Sequence, residues 1–134
     1  MIGIVIVAHG GLAQEFLAAV EHVVGPQSGI RAVTVEQDHD RAAKETEICG
    51  AADAVDGGDG VVVVTDLFGG SPSNLSMKAC RPNNRRILFG VNMPLLIKLA
   101  KNRHLALPDA VRAAKDAGRK YIDSQNISME DEPT

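Results

Sequence analysis

The sequence predicts an α/β fold, in which a doubly wound, mostly parallel four-stranded sheet has helices on both faces and a candidate antiparallel edge strand near the C-terminus. Segments rich in Val and Ile alternate with segments of helical spacing along the chain, and this alternation favours parallel strands joined by right-handed crossovers. Hydrophobic residues make up 45% of the chain but aromatic residues only 3%. Such an aliphatic core suits a sheet that is buried on both faces. At 134 residues, the chain fits one domain.

The first strand and helix are the clearest elements. Residues 2–8 form an apolar run, and residues 12–24 carry Leu, Phe, Ala and Val at the spacing of one helical face. Between them lies the turn His9-Gly10-Gly11. The sequence therefore predicts a strand, a tight turn and a helix in this order.

The middle of the chain repeats this arrangement. A second strand is predicted over residues 30–36, and Asp40 is a suitable N-cap for a helix over residues 41–55. The third strand, residues 61–65, contains only Val and Thr, as expected of a fully buried strand. These segments add two strands and the helix between them to the alternating pattern.

A third helix follows the third strand. Ser71 is predicted as its N-cap and Pro72 as its first residue, because these residue types favour those positions. The helix is expected to continue to about Ala79. A fourth strand is predicted over residues 86–91, with another helix opening at Pro94.

The C-terminal region completes the predicted domain, which covers residues 1–123. A last helix is predicted over residues 108–117 and should end at Gly118. Residues 120–123 are the candidate edge strand. The polar tail, residues 124–134, has too little apolar content to pack and is expected to be disordered.

Charge and hydropathy exclude several classes of function. The net charge is −3, and the Lys and Arg residues are scattered, so no basic patch is predicted for binding nucleic acid. The longest apolar run, residues 2–8, is too short to insert into a membrane and lacks a basic lead-in. A cytoplasmic location follows as the default expectation. Cys49 and Cys80 show no zinc or redox spacing and are interpreted as small buried hydrophobic residues.

The chemistry is expected where the strands end, because ligands of open α/β sheets bind beyond the carboxyl ends of the strands. His9 follows the first strand, Asp66 the third and Asn92 the fourth. If the first and third strands are neighbours, His9 and Asp66 come within reach of each other. Asp66 would then accept the proton on one imidazole nitrogen and leave a lone pair on the other. An imidazole held in this way is a nucleophile. Asn92 either holds its loop or lines the site.

Two glycine-rich turns surround this pair. Gly10 and Gly11 precede one helix, and Gly69, Gly70 and Ser71 precede another, so backbone N–H groups and two helix dipoles are expected to form a phosphate-binding cradle. The strand-end loops contain no Lys or Arg, which argues against tight nucleotide binding. The chain also lacks both common nucleotide-binding glycine motifs. No cofactor is predicted.

Three stretches of this sequence resemble the enzyme IIA component of the mannose-type sugar phosphotransferase system. They are His9-Gly10 after the first strand, DLFGGSPSN at residues 66–74 and GVNMP at residues 90–94. The likeness covers about residues 1–123. The GGSPxN motif after a strand that ends in Asp is the specific part of the resemblance.

The resemblance implies a role for each matching residue. His9 would be phosphorylated through its ε nitrogen, Asp66 would anchor the δ N–H, and Ser71 would lie near the phosphoryl group. The sequence departs from the family's mannose transporter protein at Gly11 and Phe68, where that protein has Trp, so the partner-facing rim is expected to differ. Phe68 remains a candidate site-lining residue.

The resemblance also implies the partners of a phosphotransferase component. Family members take a phosphoryl group from the histidine-containing phosphocarrier protein HPr and pass it to a IIB component. The same relay serves either sugar transport or a regulatory phosphotransfer chain. The family also implies a homodimer in which a terminal edge strand, here near residues 119–123, is exchanged between subunits.

Other functions fit parts of the pattern. A receiver-like switch would place its phosphoacceptor at Asp66, but the acidic pair expected after the first strand is missing. A non-covalent anion- or protein-binding regulatory module needs the glycine turns but no nucleophile. The phosphotransfer subunit of a dihydroxyacetone kinase shares the strand-end His. A metal site is not predicted, since His9 and Asp66 supply only two ligands.

Overall fold

The centre of the molecule is a four-stranded sheet whose neighbouring strands are all parallel. A computed structural model describes residues 1–128 of the chain. The strand order is β2-β1-β3-β4. The strands are β1 (Gly3–His9), β2 (Ile30–Val35), β3 (Val61–Thr65) and β4 (Arg85–Leu88). This order confirms the predicted fold class. It also meets the condition, β1 beside β3, on which the expected proximity of His9 and Asp66 depended.

Five α-helices connect and cover the strands in the part of the chain that the structure describes. They are α1 (Leu12–Val24), α2 (Arg41–Val55), α3 (Ser71–Ser76), α4 (Met93–Lys101) and α5 (Leu107–Lys120), and a 3₁₀ turn (Lys78–Cys80) follows α3. Asp40 caps α2 as predicted, because its carboxylate accepts a hydrogen bond from the Ala43 N–H at 3.1 Å. The third helix is shorter than predicted, and β4 ends three residues earlier than the sequence suggested.

The side chains of the strands alternate between two hydrophobic cores, one on each face of the sheet. Along β1, Ile4 and Ile6 pack into the core covered by α1, α4 and α5, whereas Val5 and Val7 pack into the core covered by α2 and α3. Each of these four side chains is at most 1% exposed. Burying such a side chain stabilises the fold by about 1.5–3 kcal/mol. The helices therefore lie on both faces, as the aliphatic composition predicts.

The predicted end of the last helix at Gly118 is wrong, since α5 continues to Lys120. Gly118 is buried where α5 approaches α4, and a Cβ at this position would lie 3.2 Å from the Leu95 Cβ. Its carbonyl oxygen accepts a hydrogen bond from Asn92 Nδ2 at 2.9 Å. Gly118 therefore allows α5 to pack closely against α4. This packing, and not the end of the helix, explains the glycine at this position.

Residues 120–123 do not form a strand in the single chain. Lys120 ends α5, Tyr121 lies in a turn, and residues 122–128 are exposed without regular structure. The outer edge of β4 has no partner strand among the described residues. The predicted polar tail begins within this segment, but its residues 129–134 lie outside the part of the chain that the structure describes.

A buried arginine joins the chain segments at the end of the sheet where β1 begins. The Arg103 guanidinium donates hydrogen bonds to the carbonyl oxygens of Ile2 at 2.7 Å, Ser28 at 2.6 Å and Gly29 at 3.1 Å. Arg103 is only 3% exposed. Its backbone carbonyl accepts a further bond from the Ile2 N–H at 2.9 Å. Arg103 therefore supplies a donor to the buried Ile2 carbonyl group and joins it to the exposed loop residues Ser28 and Gly29.

We expect the substitution Arg103→Met to lower the free energy of unfolding by about 2–4 kcal/mol, because it removes the Arg103 donor of the buried Ile2 carbonyl group together with the bonds to Ser28 and Gly29. Denaturant titration followed by circular dichroism measures this change. Arg112→Met is the control, since Arg112 is exposed and its contact with Asp109 is a surface ion pair at 3.7 Å. Equal stabilities of the two variants would contradict the assigned role.

Candidate active site

His9 and Asp66 meet at the carboxyl edge of the sheet. His9 is the last residue of β1, and Asp66 directly follows β3. Because β1 and β3 pair in register from Gly3 with Val61 to Val7 with Thr65, both strands deliver their next side chains to the same place. The His9 Nδ1 lies 2.8 Å from Asp66 Oδ2, and the His9 backbone N–H donates to the same oxygen at 3.1 Å.

The surroundings of Asp66 keep its carboxylate charged. Burial acts to raise the pKa of Asp66, but hydrogen bonds from the ring and backbone N–H of His9 outweigh burial, and the pKa lies below its ordinary value. An ionised carboxylate only accepts hydrogen bonds, so the Nδ1 of His9 must carry the proton between them. The Asp66 contact therefore fixes the tautomer of the histidine.

The other ring nitrogen of His9 has no protein partner among the described residues. The His9 side chain is 50% exposed, whereas that of Asp66 is 11% exposed. Within residues 1–128, Nε2 of His9 has no hydrogen-bond partner. With Nδ1 protonated, Nε2 carries a free lone pair on a half-exposed ring. This arrangement gives a nucleophile with a fixed direction of attack.

The glycine turn after Asp66 lies directly against the imidazole ring. A Cβ placed on Gly70 would be 3.6 Å from the His9 Cε1, the ring carbon between the two nitrogens. Gly69 has a φ of +83°, and Gly10 in the other turn has a φ of +56°. These backbone conformations are unfavourable for residues with a Cβ, which explains the glycines at both positions.

The predicted set of free N–H groups needs correction. The Gly10 N–H donates to the Val35 carbonyl oxygen at 3.2 Å, and the Gly69 N–H donates to Ser73 Oγ at 3.0 Å. These two groups are therefore not free to bind an anion. Of the five residues predicted to form the cradle, Gly11, Gly70 and Ser71 have N–H groups without an acceptor in the described part of the chain.

The prediction that Ser71 caps α3 is wrong. Gly70 occupies the N-cap position, and Ser71 is the exposed first residue of the helix, with no hydrogen bond from its hydroxyl among the described residues. The extended backbone of Gly70 has a φ of −85° and a ψ of 176°. The serine that contacts the turn is Ser73, which the sequence analysis missed. A serine in the first turn after a glycine pair is the signal that could have indicated it.

Phe68 and Asn92, the two predicted site-lining residues, differ in their surroundings. Phe68 is 79% exposed on the same loop as Asp66, and its ring packs edge-to-face against Phe89 at a centroid distance of 4.9 Å. Asn92 caps α4 by accepting a hydrogen bond from the Leu95 N–H at 3.0 Å, while its Nδ2 binds the Gly118 carbonyl. Both polar groups of Asn92 are thus used to hold α4 and α5, which favours its loop-holding role.

The remaining titratable residues do not add ligands to this site. No group of three or more His, Cys, Asp or Glu side chains within residues 1–128 could hold a metal ion. Cys49 and Cys80 are half-buried against the core under α2, and burial raises the pKa of Cys80 to about 11. No helix in this part of the chain is long and apolar enough to span a membrane.

The Asp66 contact predicts a pH-dependent contribution to stability. Because the pKa of Asp66 in the folded protein lies below the ordinary 3.8, its stabilising contribution is complete above that value and is lost as the pH falls through the lower folded value. Asp66→Asn should lower the unfolding free energy at pH 7 by about 1 kcal/mol, and the difference should shrink as the pH falls below 3.8 through the lower folded value. Thermal unfolding across this pH range measures it, with the exposed Asp116→Asn as the control. A pH-independent difference would contradict the assignment.

Comparisons with known proteins agree with this geometry. The family model of the PTS system fructose IIA component, EIIA-man, matches residues 3–115. The chain is 31% identical over 97 residues to the putative phosphotransferase enzyme IIA component YadI of Escherichia coli K12, covering 72% of this chain and 66% of that protein. It is 25% identical over 124 residues to the mannose-specific EIIAB component of the same organism. That match covers 90% of this chain and 38% of the relative, so the chain spans less than two thirds of either protein.

Solved structures share the fold. The EIIA component from Streptococcus agalactiae superimposes with a TM-score of 0.82 at 23% identity, covering 92% of this chain and 97% of that one. The mannose/sorbose-specific IIA subunit from Enterococcus faecalis gives a TM-score of 0.83 at 20% identity, covering 94% and 96%. The PTS IIA protein associated with the fucose utilization operon of Streptococcus pneumoniae gives 0.76 at 27% identity, covering 87% and 90%. The chain therefore belongs to the EIIA-man family of phosphotransferase-system IIA components.

Proposed function

We propose that this IIA component carries a phosphoryl group on Nε2 of His9, which it takes from HPr and passes to a IIB component or another phosphoryl acceptor. The observation that carries the proposal is the 2.8 Å contact between His9 Nδ1 and Asp66, combined with the half-exposed ring. It supports a histidine that is nucleophilic at one nitrogen and anchored at the other. A relay with HPr also implies a location in the cytoplasm.

In the proposed step, the lone pair of Nε2 attacks the phosphorus of the phosphohistidine on HPr. An N–P bond forms on His9 as the N–P bond of the donor breaks, and the donor imidazole keeps the electron pair. The Nδ1 proton stays on the His9 ring throughout. The positive charge that develops on the ring is stabilised by the Asp66 carboxylate, which is charged and positioned before the reaction begins. Transfer to the acceptor is the reverse of this step.

The backbone around His9 supplies donors for the transferred group. The unpaired N–H groups of Gly11, Gly70 and Ser71, together with the exposed Ser71 hydroxyl, are available for phosphoryl oxygens. Gly11 also precedes α1, whose dipole favours negative charge at this end. Because no Lys or Arg stands in the three strand-end loops, the group is held without a cation. We infer that this balance lets the phosphoryl group leave again.

Exposed apolar side chains near His9 support a protein as the exchange partner. Leu67 and Phe68 are 56% and 79% exposed on the Asp66 loop, and Leu12 is 41% exposed at the start of α1. Apolar and aromatic residues around a reactive group are typical of the centre of a protein interface. They favour HPr and IIB domains over a small free substrate.

We further propose a homodimer in which the terminal segment of one subunit pairs with β4 of the other. The outer edge of β4 has no partner strand among the described residues, and a groove of about 480 Å³ lies between it and α5. Apolar side chains line this groove, including Ile87, Leu88, Phe89, Val111 and Ile122. Tyr121 and Ile122 are 66% and 75% exposed in the single chain. Exchange of this segment would cover both the exposed edge and these side chains.

Phosphoryl transfer is tested with phosphoenolpyruvate, enzyme I and HPr. We expect the intact mass to increase by one phosphoryl group, and the label to survive alkali but not acid, as a phosphohistidine does. His9→Ala should abolish the labelling, while His22→Ala, an exposed histidine on α1, should retain it. Absence of labelling with several HPr proteins would overturn the proposal in favour of a non-covalent binding module.

The dimer is tested by sedimentation at several protein concentrations. We expect the wild type to sediment as a dimer and Ile122→Glu as a monomer, because a charge at the covered position must lose its hydration. Lys101→Glu, an exposed position at the end of α4, is the control and should remain dimeric. A monomeric wild type at high concentration would refute the exchange.

A further inference from the structure

One buried hydroxyl, not used in the proposed step above, contacts the loop beside His9. Ser73 lies in the first turn of α3 and is 1% exposed. Its Oγ accepts a hydrogen bond from the Gly69 N–H at 3.0 Å and donates one to the Gly70 carbonyl oxygen at 3.2 Å. A single hydroxyl therefore holds both residues of the glycine pair.

The peptide that joins Gly69 to Gly70 needs such a restraint. Neither residue has a Cβ, so the plane of this peptide rotates with little steric cost. Space around Gly69 is open, since a Cβ built there would meet nothing within 4 Å. The Gly70 carbonyl also accepts the Asn74 N–H at 3.1 Å, but that bond does not contact Gly69. Ser73 does not bond to this peptide itself. Its hydroxyl holds the Gly69 N–H, which belongs to the preceding peptide, and the Gly70 carbonyl, which belongs to the following one, and so fixes the two glycines between which the peptide lies.

The orientation of this peptide matters for His9. The Gly70 N–H belongs to it, has no acceptor among the described residues, and lies on the residue that flanks the imidazole at Cε1. Rotation of the peptide would replace this N–H by the Gly69 carbonyl oxygen. A carbonyl oxygen repels a phosphoryl oxygen, whereas an N–H group donates to it.

We propose that Ser73 is a positioning residue for phosphoryl transfer, because its hydroxyl holds both glycines of the turn and so keeps the turn where the Gly70 N–H donates to the phosphoryl group on His9. This inference rests on the proposed function. It assigns a role to a residue that acts through the glycine turn. The expected effect of losing the hydroxyl is a slower chemical step with unchanged binding of the protein partner.

Ser76 provides a matched control on the same helix. It is also buried, at 0% exposed, and its hydroxyl donates to the Pro72 carbonyl oxygen at 2.6 Å. Ser73→Ala and Ser76→Ala therefore remove the same atom from two buried positions of α3. Only the first substitution removes a contact with the glycine turn.

The test measures the single-turnover rate of phosphoryl transfer from phospho-HPr, generated with enzyme I and phosphoenolpyruvate, by rapid quenching as the phospho-HPr concentration is varied. We expect Ser73→Ala to lower the limiting rate constant at saturating phospho-HPr, written kcat below, by about tenfold, less than the loss of a direct transition-state donor. The phospho-HPr concentration that gives half of this rate should not change, because the exposed apolar surface is intact. Ser76→Ala should keep the wild-type kcat, and Ser73→Thr, which keeps the hydroxyl, should recover most of the rate.

A second measurement reports on the peptide itself. The amide resonance of Gly70 should shift on phosphorylation of the wild type and of Ser76→Ala, and the shift should be smaller in Ser73→Ala. Equal kcat values for the two alanine variants, in a protein that is phosphorylated, would overturn the role of Ser73 and leave the proposed function standing. Failure of the wild type to accept a phosphoryl group would overturn both.

Discussion

The parallel pairing of β1 with β3 is the constraint on which the candidate site depends. It places the last residue of one strand beside the first residue after the other, and so brings His9 Nδ1 within 2.8 Å of the Asp66 carboxylate. One short contact then determines the tautomer, the ring orientation and the charge that faces the ring. All three depend on the strand register, because His9 and Asp66 are far apart in sequence and only the pairing of β1 with β3 brings them together.

Around this pair the protein uses backbone groups where many phosphate sites use cations. Two glycine turns approach the site, and the strand-end loops contain no Lys or Arg. Part of the predicted cradle is used internally, since Gly10 and Gly69 donate to other protein groups. The remaining donors are few and uncharged, which suits a group that has to be released. The Ser73 hydroxyl stabilises the Gly69–Gly70 turn, because it forms hydrogen bonds with both glycines.

The site also needs a stable platform beneath it. Two apolar cores sandwich the sheet, and Arg103 joins the chain segments at the edge opposite His9. Apolar burial extends along the strands to Val7, Ala8 and Val64, which are 0% exposed, whereas the loop side chains of Leu67 and Phe68 are 56% and 79% exposed. The strands therefore supply the stability, and the residues at and beyond their carboxyl ends supply the chemistry. This division is typical of open α/β sheets, where loops vary and strands support them.

Periodicity and residue type by themselves determined the fold class, most element positions and the placing of His9 and Asp66 at strand ends, because these depend on local patterns. Their pairing followed from the sequence only on the condition that the first and third strands are neighbours, which the strand order meets. The tertiary structure decided what local patterns cannot. Gly118 was interpreted as a helix end, but it is a contact between two helices. Ser73 was not recognised, because the turn that its hydroxyl holds exists only once the chain is folded. Hydrogen bonds and close approaches between distant segments depend on where backbone groups come to lie, and residue type does not encode that position.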